Sequence, residues 1–121
     1  MTIQITAPAA QDVATIQRRN YRTALALASH IMSESAVVPT DFTIAVHDFA
    51  PDEPTIRFYF HRDPAAVAEF ADERWMGVTT EVRDDGSVLT EARGGLCRGV
   101  LVTAWTLMPA DGSDVVSEVT A

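Results

Sequence analysis

The sequence contains no lysine, so all nine of its basic residues are arginine. Aspartate and glutamate together number 17, which leaves a formal net charge of −8 at pH 7. Such an acidic surface repels the phosphates of nucleic acids and of anionic membranes, and we expect neither as a partner. The lack of lysine beside many alanines is typical of a high-GC bacterial genome.

Cysteine and long apolar runs are also scarce. Cys97 is the only cysteine, which excludes an internal disulfide and fits a reducing compartment. No apolar run approaches the roughly 18 residues that span a bilayer. The N-terminus also lacks the basic and long apolar segments of a secretory signal. The sequence therefore predicts a soluble, cytoplasmic protein.

The chain nevertheless contains enough apolar residues for one core. It has 121 residues, of which 47% are hydrophobic, as in a globular protein. We expect residues 1–108 to form a single α+β domain. Residues 109–121 are polar and acidic, and we expect them to form a flexible tail.

Residues 9–33 have the apolar spacing of a long helix, at intervals of three and four. Pro39 prevents the helix from continuing. Two apolar stripes form a wide face that we expect to pack on a sheet: Val13, Ile16, Ala24, Leu27 and Ile31 in one, and Tyr21, Leu25, Ala28 and Met32 in the other.

Two alternating segments, 42–47 and 56–61, predict a hairpin of half-buried strands. The prolines of the segment 51–54 predict a turn centred on Asp52. In that register Ile44 faces Phe60 and Val46 faces Phe58, so apolar residues pair across the hairpin.

The second half of the chain predicts a short helix followed by three strands. Asp63 and Pro64 are typical of a helix start, and the helix should cover 64–73. The next hairpin should have a three-residue loop with a left-handed Gly86. We expect a tight turn at 94–95 to lead into a last strand over 96–108, with Ala92 opposite Cys97.

The last strand is apolar on both sides, which predicts burial on both faces. Its inward residues should be Leu101, Thr103, Trp105 and Leu107, and its outward residues Val100, Val102, Ala104 and Met108. The whole pattern predicts an α+β fold of order α-β-β-α-β-β-β, with the long N-terminal helix packed on an antiparallel sheet of about five strands. We expect the core to include Phe42, Ile44, Val46, Phe58, Phe60, Val82, Leu101 and Trp105.

No set of residues identifies a reaction. Cys97 could act as a nucleophile only beside a histidine, and the predicted registers place none near it. Two pairs have metal-ligand spacing, His30 with Glu34 and His61 with Asp63, whereas a site needs three or four ligands. We therefore predict no catalytic residue, no cofactor and no metal, and we favour a protein that is not an enzyme over one that is.

Two surfaces are candidate interfaces. Leu89, Val100, Val102 and Met108 should form an apolar patch on the outer face of the sheet, which favours a homodimer or a protein partner. The alternative is that the short helix or the segment 3–5 covers this patch within one chain. A second candidate surface is a cluster of positive charge on the long helix, formed by Arg18, Arg19 and Arg22.

Two classes of function follow from these features. The favoured hypothesis is a non-enzymatic adaptor or regulator that acts through a protein partner or by self-association. The alternative is a small-ligand site between the helix 9–33 and the sheet, with an enzyme that uses this pocket as the third choice. The pocket would be lined by Tyr21, Met32, Trp75 and Trp105.

Overall fold

A computed structural model describes residues 12–110. In chain order its elements are α1 (Val13–Glu34), β1 (Asp41–His47), β2 (Ala50–Tyr59), α2 (Pro64–Glu73), β3 (Gly77–Val82), β4 (Val88–Cys97) and β5 (Val100–Met108). This is the predicted α+β order, with the long helix packed on the sheet. The described residues do not include helix positions 9–11, the segment 3–5 or most of the predicted tail. No helix within 12–110 is long and apolar enough to cross a membrane.

The five strands form one sheet in the order β1-β2-β5-β4-β3. Three neighbouring pairs are antiparallel, but β2 and β5 run parallel, so the sheet is mixed and not wholly antiparallel as predicted. The parallel pair arises because the chain leaves β2, crosses the sheet through α2 and the β3–β4 hairpin, and returns beside β2. A parallel pair needs such a long crossover connection.

Helix α1 begins at a cap that the sequence pattern did not specify. The Asp12 side chain accepts a hydrogen bond of 3.2 Å from the backbone N–H of Thr15, which satisfies one free donor of the first turn. The first apolar stripe packs on β1 and β2 through buried Leu27 and Ile31. The second stripe is only partly buried, because Tyr21 and Leu25 are exposed.

Helix α2 follows the sequence prediction closely. Asp63 is its N-cap and accepts a hydrogen bond of 3.0 Å from the N–H of Ala66, while Pro64 is its first residue. The helix buries Val67 and Phe70 against the sheet. Because α1 and α2 pack on the same side, we call this side the inner face and the opposite side the outer face.

The core lies on the inner face. The rings of Phe58 in β2 and of Phe60, the residue after its end, have centroids 5.2 and 5.7 Å from that of Phe70 in α2. Val46 is also buried, and Ile44 packs against the core, as predicted. Phe42, Val82 and Leu101 are exposed instead, and Trp105 is half-buried on the outer face.

The predicted faces of the last strand were reversed. The chain turns at Arg98 and Gly99, both with positive φ (54° and 80°), and Cys97 pairs with Val100. Positions 94–95 belong to β4, at an irregularity that shifts the register between Arg93 and Leu96. A register change by an odd number of residues exchanges the two faces of a strand. The inner residues of β5 are therefore Val100, Val102, Ala104 and Thr106, all buried.

The first hairpin also turns at a different place. The turn lies at Asp48 and Phe49, and the proline segment 51–54 belongs to β2. Ile44 consequently pairs with Ile56, not with Phe60. The face of each strand is as predicted, because this shift is an even number of residues.

The structure confirms the predicted β3–β4 hairpin, with its three-residue loop. Val82 pairs with Val88, and Gly86 in the loop has φ of 88°. Strand β3 is nevertheless an edge strand whose six residues are all exposed. For this reason Val82, at 72% exposure, is not part of the core.

Candidate functional site

Trp75 is the most unusual residue of the described chain. Helix α2 ends where the backbone N–H groups of Arg74 and Met76 both donate to the carbonyl of Ala71, at 3.1 and 3.0 Å. This helix end requires a left-handed residue, usually glycine, yet Trp75 occupies it with φ of 58°. Its side chain is 95% exposed. A strained backbone therefore holds a large aromatic ring in water.

A cleft of about 370 Å³ lies beside Trp75, between α1, the end of α2 and the irregular end of β4. Its apolar wall comes from α1 and β5, and Trp75 and the 71%-exposed Leu96 also line it. The complete lining is Ile31, Glu73, Arg74, Trp75, Met76, Gly94, Gly95, Leu96, Cys97 and Val102. We call Trp75, Leu96 and this cleft the Trp75 surface.

The glycines of β4 shape this cleft. A Cβ atom at Gly94 would lie 3.0 Å from Cγ of Met76, so a side chain there would displace Met76. A Cβ atom at Gly95 would meet nothing within 4 Å. Gly94 therefore lets β4 lie close to Met76 after the end of α2, and Gly95 lies beside open space.

The two charged residues of the cleft differ in their contacts. The Glu73 carboxylate accepts hydrogen bonds of 2.8 Å from the hydroxyl of Ser35 and from the N–H of Ala36, which ties α2 to the end of α1. The Arg74 guanidinium carbon lies 5.5 Å from the centroid of the Phe70 ring. Its Nε is buried and has no hydrogen-bond acceptor among residues 12–110. Arg74 also lines the cleft, so its guanidinium places a positive charge beside a bound molecule.

The outer face carries a separate charged cluster. Arg57 and Arg93 approach the Glu91 carboxylate at 3.7 and 3.4 Å, and the Arg57 guanidinium lies 5.1 Å from the centroid of the Trp105 ring. Tyr59 packs on Trp105 with centroids 4.6 Å apart. These residues belong to neighbouring strands, so ordinary cross-strand pairing explains the cluster.

The residues predicted to line a pocket do not come together. Trp75 lines the cleft, but Trp105 lies on the opposite face of the sheet because the faces of β5 were reversed. Tyr21 is exposed on α1, and Met32 packs against the core.

The residues predicted to form an outer apolar patch are also separated. Val100 and Val102 are buried on the inner face for the same reason. Leu89 pairs with Leu107 on the outer face, and Met108 pairs with Val88 on the inner face. Arg18, Arg19 and Arg22 are exposed on α1 and do not line the cleft. Their role in an interface stays a prediction.

Sequence reasoning missed the roles of Arg74 and Leu96. One signal was present in the sequence: positions 74–76, directly after the helix 64–73, contain no glycine, so a residue with a side chain had to take the left-handed position. The proximity of Leu96 and Cys97 to the end of α2 depends on the irregular end of β4, which no local pattern indicated.

The titratable residues form no metal site within 12–110, where no three His, Cys, Asp or Glu side chains are grouped suitably. The two pairs noted from spacing have local contacts. His30 lies 3.5 Å from Glu34, and Nδ1 of His61 lies 2.8 Å from the Tyr59 hydroxyl. Comparison with known proteins found no matching family model, no matching curated protein and no matching solved structure.

Proposed function

We propose that this chain is a non-enzymatic interaction protein that binds a protein partner through the Trp75 surface. The observation that carries this proposal is a 95%-exposed tryptophan in a left-handed backbone conformation. Tryptophan and arginine are enriched among the residues that dominate binding energy in interfaces. Backbone strain of this kind clusters at functional sites.

The chemistry of the cleft indicates what the partner presents. An apolar side chain would contact Ile31, Cys97 and Val102, and a hydrogen-bond acceptor or carboxylate beside it would lie next to the Arg74 side chain. The net charge of −8 favours a partner with basic residues around that contact and disfavours nucleic acid. The single cysteine supports action in a reducing compartment, which we propose is the cytoplasm.

Affinity capture from the native cell tests the proposal with a matched pair of variants. Trp75→Ser should lose the partner, because it removes the ring that anchors the contact. Phe49→Ser is the control, since Phe49 is also a large aromatic residue, 81% exposed, but lies in the β1–β2 turn. Retention of the same partner by Trp75→Ser, or its loss only in Phe49→Ser, would contradict the proposal.

A small-ligand site in the same cleft is the second candidate. A volume of about 370 Å³ lies within the usual range for small-molecule sites, roughly 300–1,000 Å³. The Arg74 guanidinium beside the cleft favours a ligand with a hydrogen-bond acceptor or an anionic group. A metabolite screen by thermal shift distinguishes the two candidates. A compound that raises the melting temperature of wild type but not of Arg74→Gln, with no protein captured, would favour the ligand.

A further inference from the structure

Within residues 12–110, strand β3 leaves one edge of the sheet open. All six of its residues are exposed, and no strand within residues 12–110 pairs with its outer edge. Natural edge strands are usually protected by lysine, proline, bulges or inward-pointing charges. Strand β3 has none of these, since its pairing with β4 is regular and its inner residues are Val78, Thr80 and Val82. Its one charged residue, Glu81, points to the outer face.

The hydrogen bonds of the hairpin show which backbone groups this edge offers. The N–H of Arg83 donates to the carbonyl of Ser87 at 2.8 Å, so these two residues form a hydrogen-bonded pair. Such pairs alternate with non-hydrogen-bonded pairs along an antiparallel ladder. Thr79 and Glu81 therefore direct their N–H and C=O groups at β4. The corresponding groups of Val78, Thr80 and Val82 point away from the sheet.

We propose that a second copy of this chain pairs with β3 in antiparallel orientation, with Thr80 on the two-fold axis. In this register Thr80 lies opposite Thr80 of the second copy, and Val78 lies opposite Val82. Each of these pairs exchanges two backbone hydrogen bonds, so all the outward groups of the strand are satisfied. The two sheets join into one continuous sheet. This proposal goes beyond the proposed function and uses a different surface.

The side chains favour the same register. Val78 packs against Val82 of the second copy on the inner face, so two exposed valines, at 42% and 72%, become covered. On the outer face Glu81 of one copy lies opposite Thr79 of the second copy. Sliding the second copy by two residues in one direction places Glu81 opposite Glu81, a like-charge pair. Sliding it in the other direction places Val82 opposite Met76, which lies before the strand.

Net charge gives this association a characteristic salt dependence. Each copy carries a charge of −8, so the two copies repel at long range. The contact itself contains no like-charge pair across the strands. Added salt screens the long-range repulsion and leaves the backbone bonds and the valine contacts in place. The dissociation constant should fall as sodium chloride is raised, whereas an interface held by ion pairs would weaken.

Cysteine crosslinking tests the register. In a Cys97→Ala background, Thr80→Cys places two thiols on the axis at a hydrogen-bonded pair, where Cα atoms lie about 5.5 Å apart. That separation is within the range of disulfides, roughly 4.4–6.8 Å. Mild oxidation should crosslink Thr80→Cys into a covalent dimer and leave the control, Thr79→Cys, uncrosslinked. Equal crosslinking of both variants, or crosslinking of Thr79→Cys alone, would overturn the register.

Light scattering coupled to size exclusion tests the association itself. Wild type should have the mass of a dimer, and Thr80→Pro should dissociate roughly ten- to hundredfold more easily, because it removes two hydrogen bonds across the axis. The Thr80 N–H points away from β4, so proline should leave the fold intact, as circular dichroism will show. Thr80→Val keeps the N–H and should remain a dimer.

Two outcomes would overturn the proposed pairing. One is a wild-type chain that is a monomer at every concentration, as expected if a segment outside residues 12–110 covers the edge. The other is a dimer that persists unchanged in Thr80→Pro, which would place the contact elsewhere. Neither result bears on the Trp75 surface, whose test is capture of a different protein by wild type and not by Trp75→Ser.

Discussion

At the scale of single residues, Trp75 shows a conflict between stability and binding. Its left-handed backbone costs free energy, and its exposed ring contacts little of the folded chain. A residue that served only to end helix α2 would usually be glycine. The presence of tryptophan is therefore better explained by what the ring contacts outside the chain.

Replacing Trp75 with glycine should stabilise the protein while removing its binding surface. The expected gain is about 1 kcal/mol in the free energy of unfolding, from relief of the left-handed strain. Trp75→Ala is the control, since it removes the ring and keeps the strain, and it should change stability little. Urea denaturation of the three proteins measures both effects. A clear loss of stability in Trp75→Gly would mean that the ring packs within its own chain.

Asp85 provides a pH-dependent contact in the β3–β4 loop. Its carboxylate accepts hydrogen bonds from the hydroxyl and the N–H of Ser87, at 2.6 and 2.9 Å, and these bonds lower the pKa of Asp85. Because the folded pKa is lower than the unfolded value of roughly 3.9, the contact stabilises the fold above that pH. The contribution disappears as the pH falls through the folded pKa.

The Ser87 amide signal in an NMR pH titration should report this contact. The midpoint of this titration should lie at a pH below roughly 3.9, the ordinary pKa of aspartate. Ser87→Ala removes the hydroxyl, which is the larger cause of the shift, and should move the midpoint of the residue 87 amide upward. A wild-type midpoint at or above the ordinary value would show that the carboxylate does not accept these bonds in solution.

At the scale of elements, local chemistry predicted some parts of the fold well. Helix α2 was located correctly because its start is marked locally in the sequence, by Asp63 at the N-cap and Pro64 at the first helical position. The β3–β4 hairpin was located correctly because Gly86 can take the left-handed position that its loop requires. Such signals depend on neighbours in the chain, so they can be read without the rest of the molecule.

The β4–β5 turn could not be located in that way. Gly94-Gly95 and Arg98-Gly99 are both plausible turns, and only the second places Val100 and Val102 under the helices. The choice depends on which face of β5 the helices cover, which is a tertiary contact. The same error had placed Trp105 on the face of Trp75 and had grouped Val100 and Val102 with Leu89, whereas the structure places them on opposite faces of the sheet.

The Arg98-Gly99 turn should respond to substitution as a two-residue hairpin turn does. Both of its residues have positive φ, which suits the sequence Asn-Gly. Arg98→Asn should raise the free energy of unfolding by several tenths of a kcal/mol, and Gly99→Ala should lower it by about 1 kcal/mol. Nothing lies within 4 Å of a Cβ at Gly99, so the loss would come from backbone strain alone. Chemical denaturation measures both changes, and a neutral Gly99→Ala would contradict this turn.

At the scale of the whole molecule, the main feature is a sheet with both described helices on one face. The apolar spacing and the turn signals of the sequence predicted the α+β class, the order of elements and the helix-on-sheet packing. They could not predict which surfaces remain exposed, because that depends on the strand order and on the parallel contact between β2 and β5. The Trp75 surface and the open edge of β3 both follow from this arrangement.

Two neighbouring residues on β5 test which face the helices cover. Val102 is buried on the inner face, so Val102→Asp should cost more than about 3 kcal/mol or prevent folding, since it buries an unpaired charge. Leu101 lies on the outer face with 36% exposure, and Leu101→Asp should cost about 1 kcal/mol. Thermal denaturation compares the two variants. The reverse order of stability would mean that the faces are assigned wrongly.

The most direct test of the Trp75 surface is the fluorescence of Trp75 with a captured partner. The chain has two tryptophans, so Trp105→Phe leaves Trp75 as the only source of indole emission. Free protein should emit at the wavelength of water-exposed indole and be quenched strongly by acrylamide, as its 95% exposure requires. Adding a partner that lacks tryptophan should shift the emission to shorter wavelength and suppress the quenching. A partner that binds while Trp75 emission and quenching stay unchanged would show that the contact lies away from Trp75.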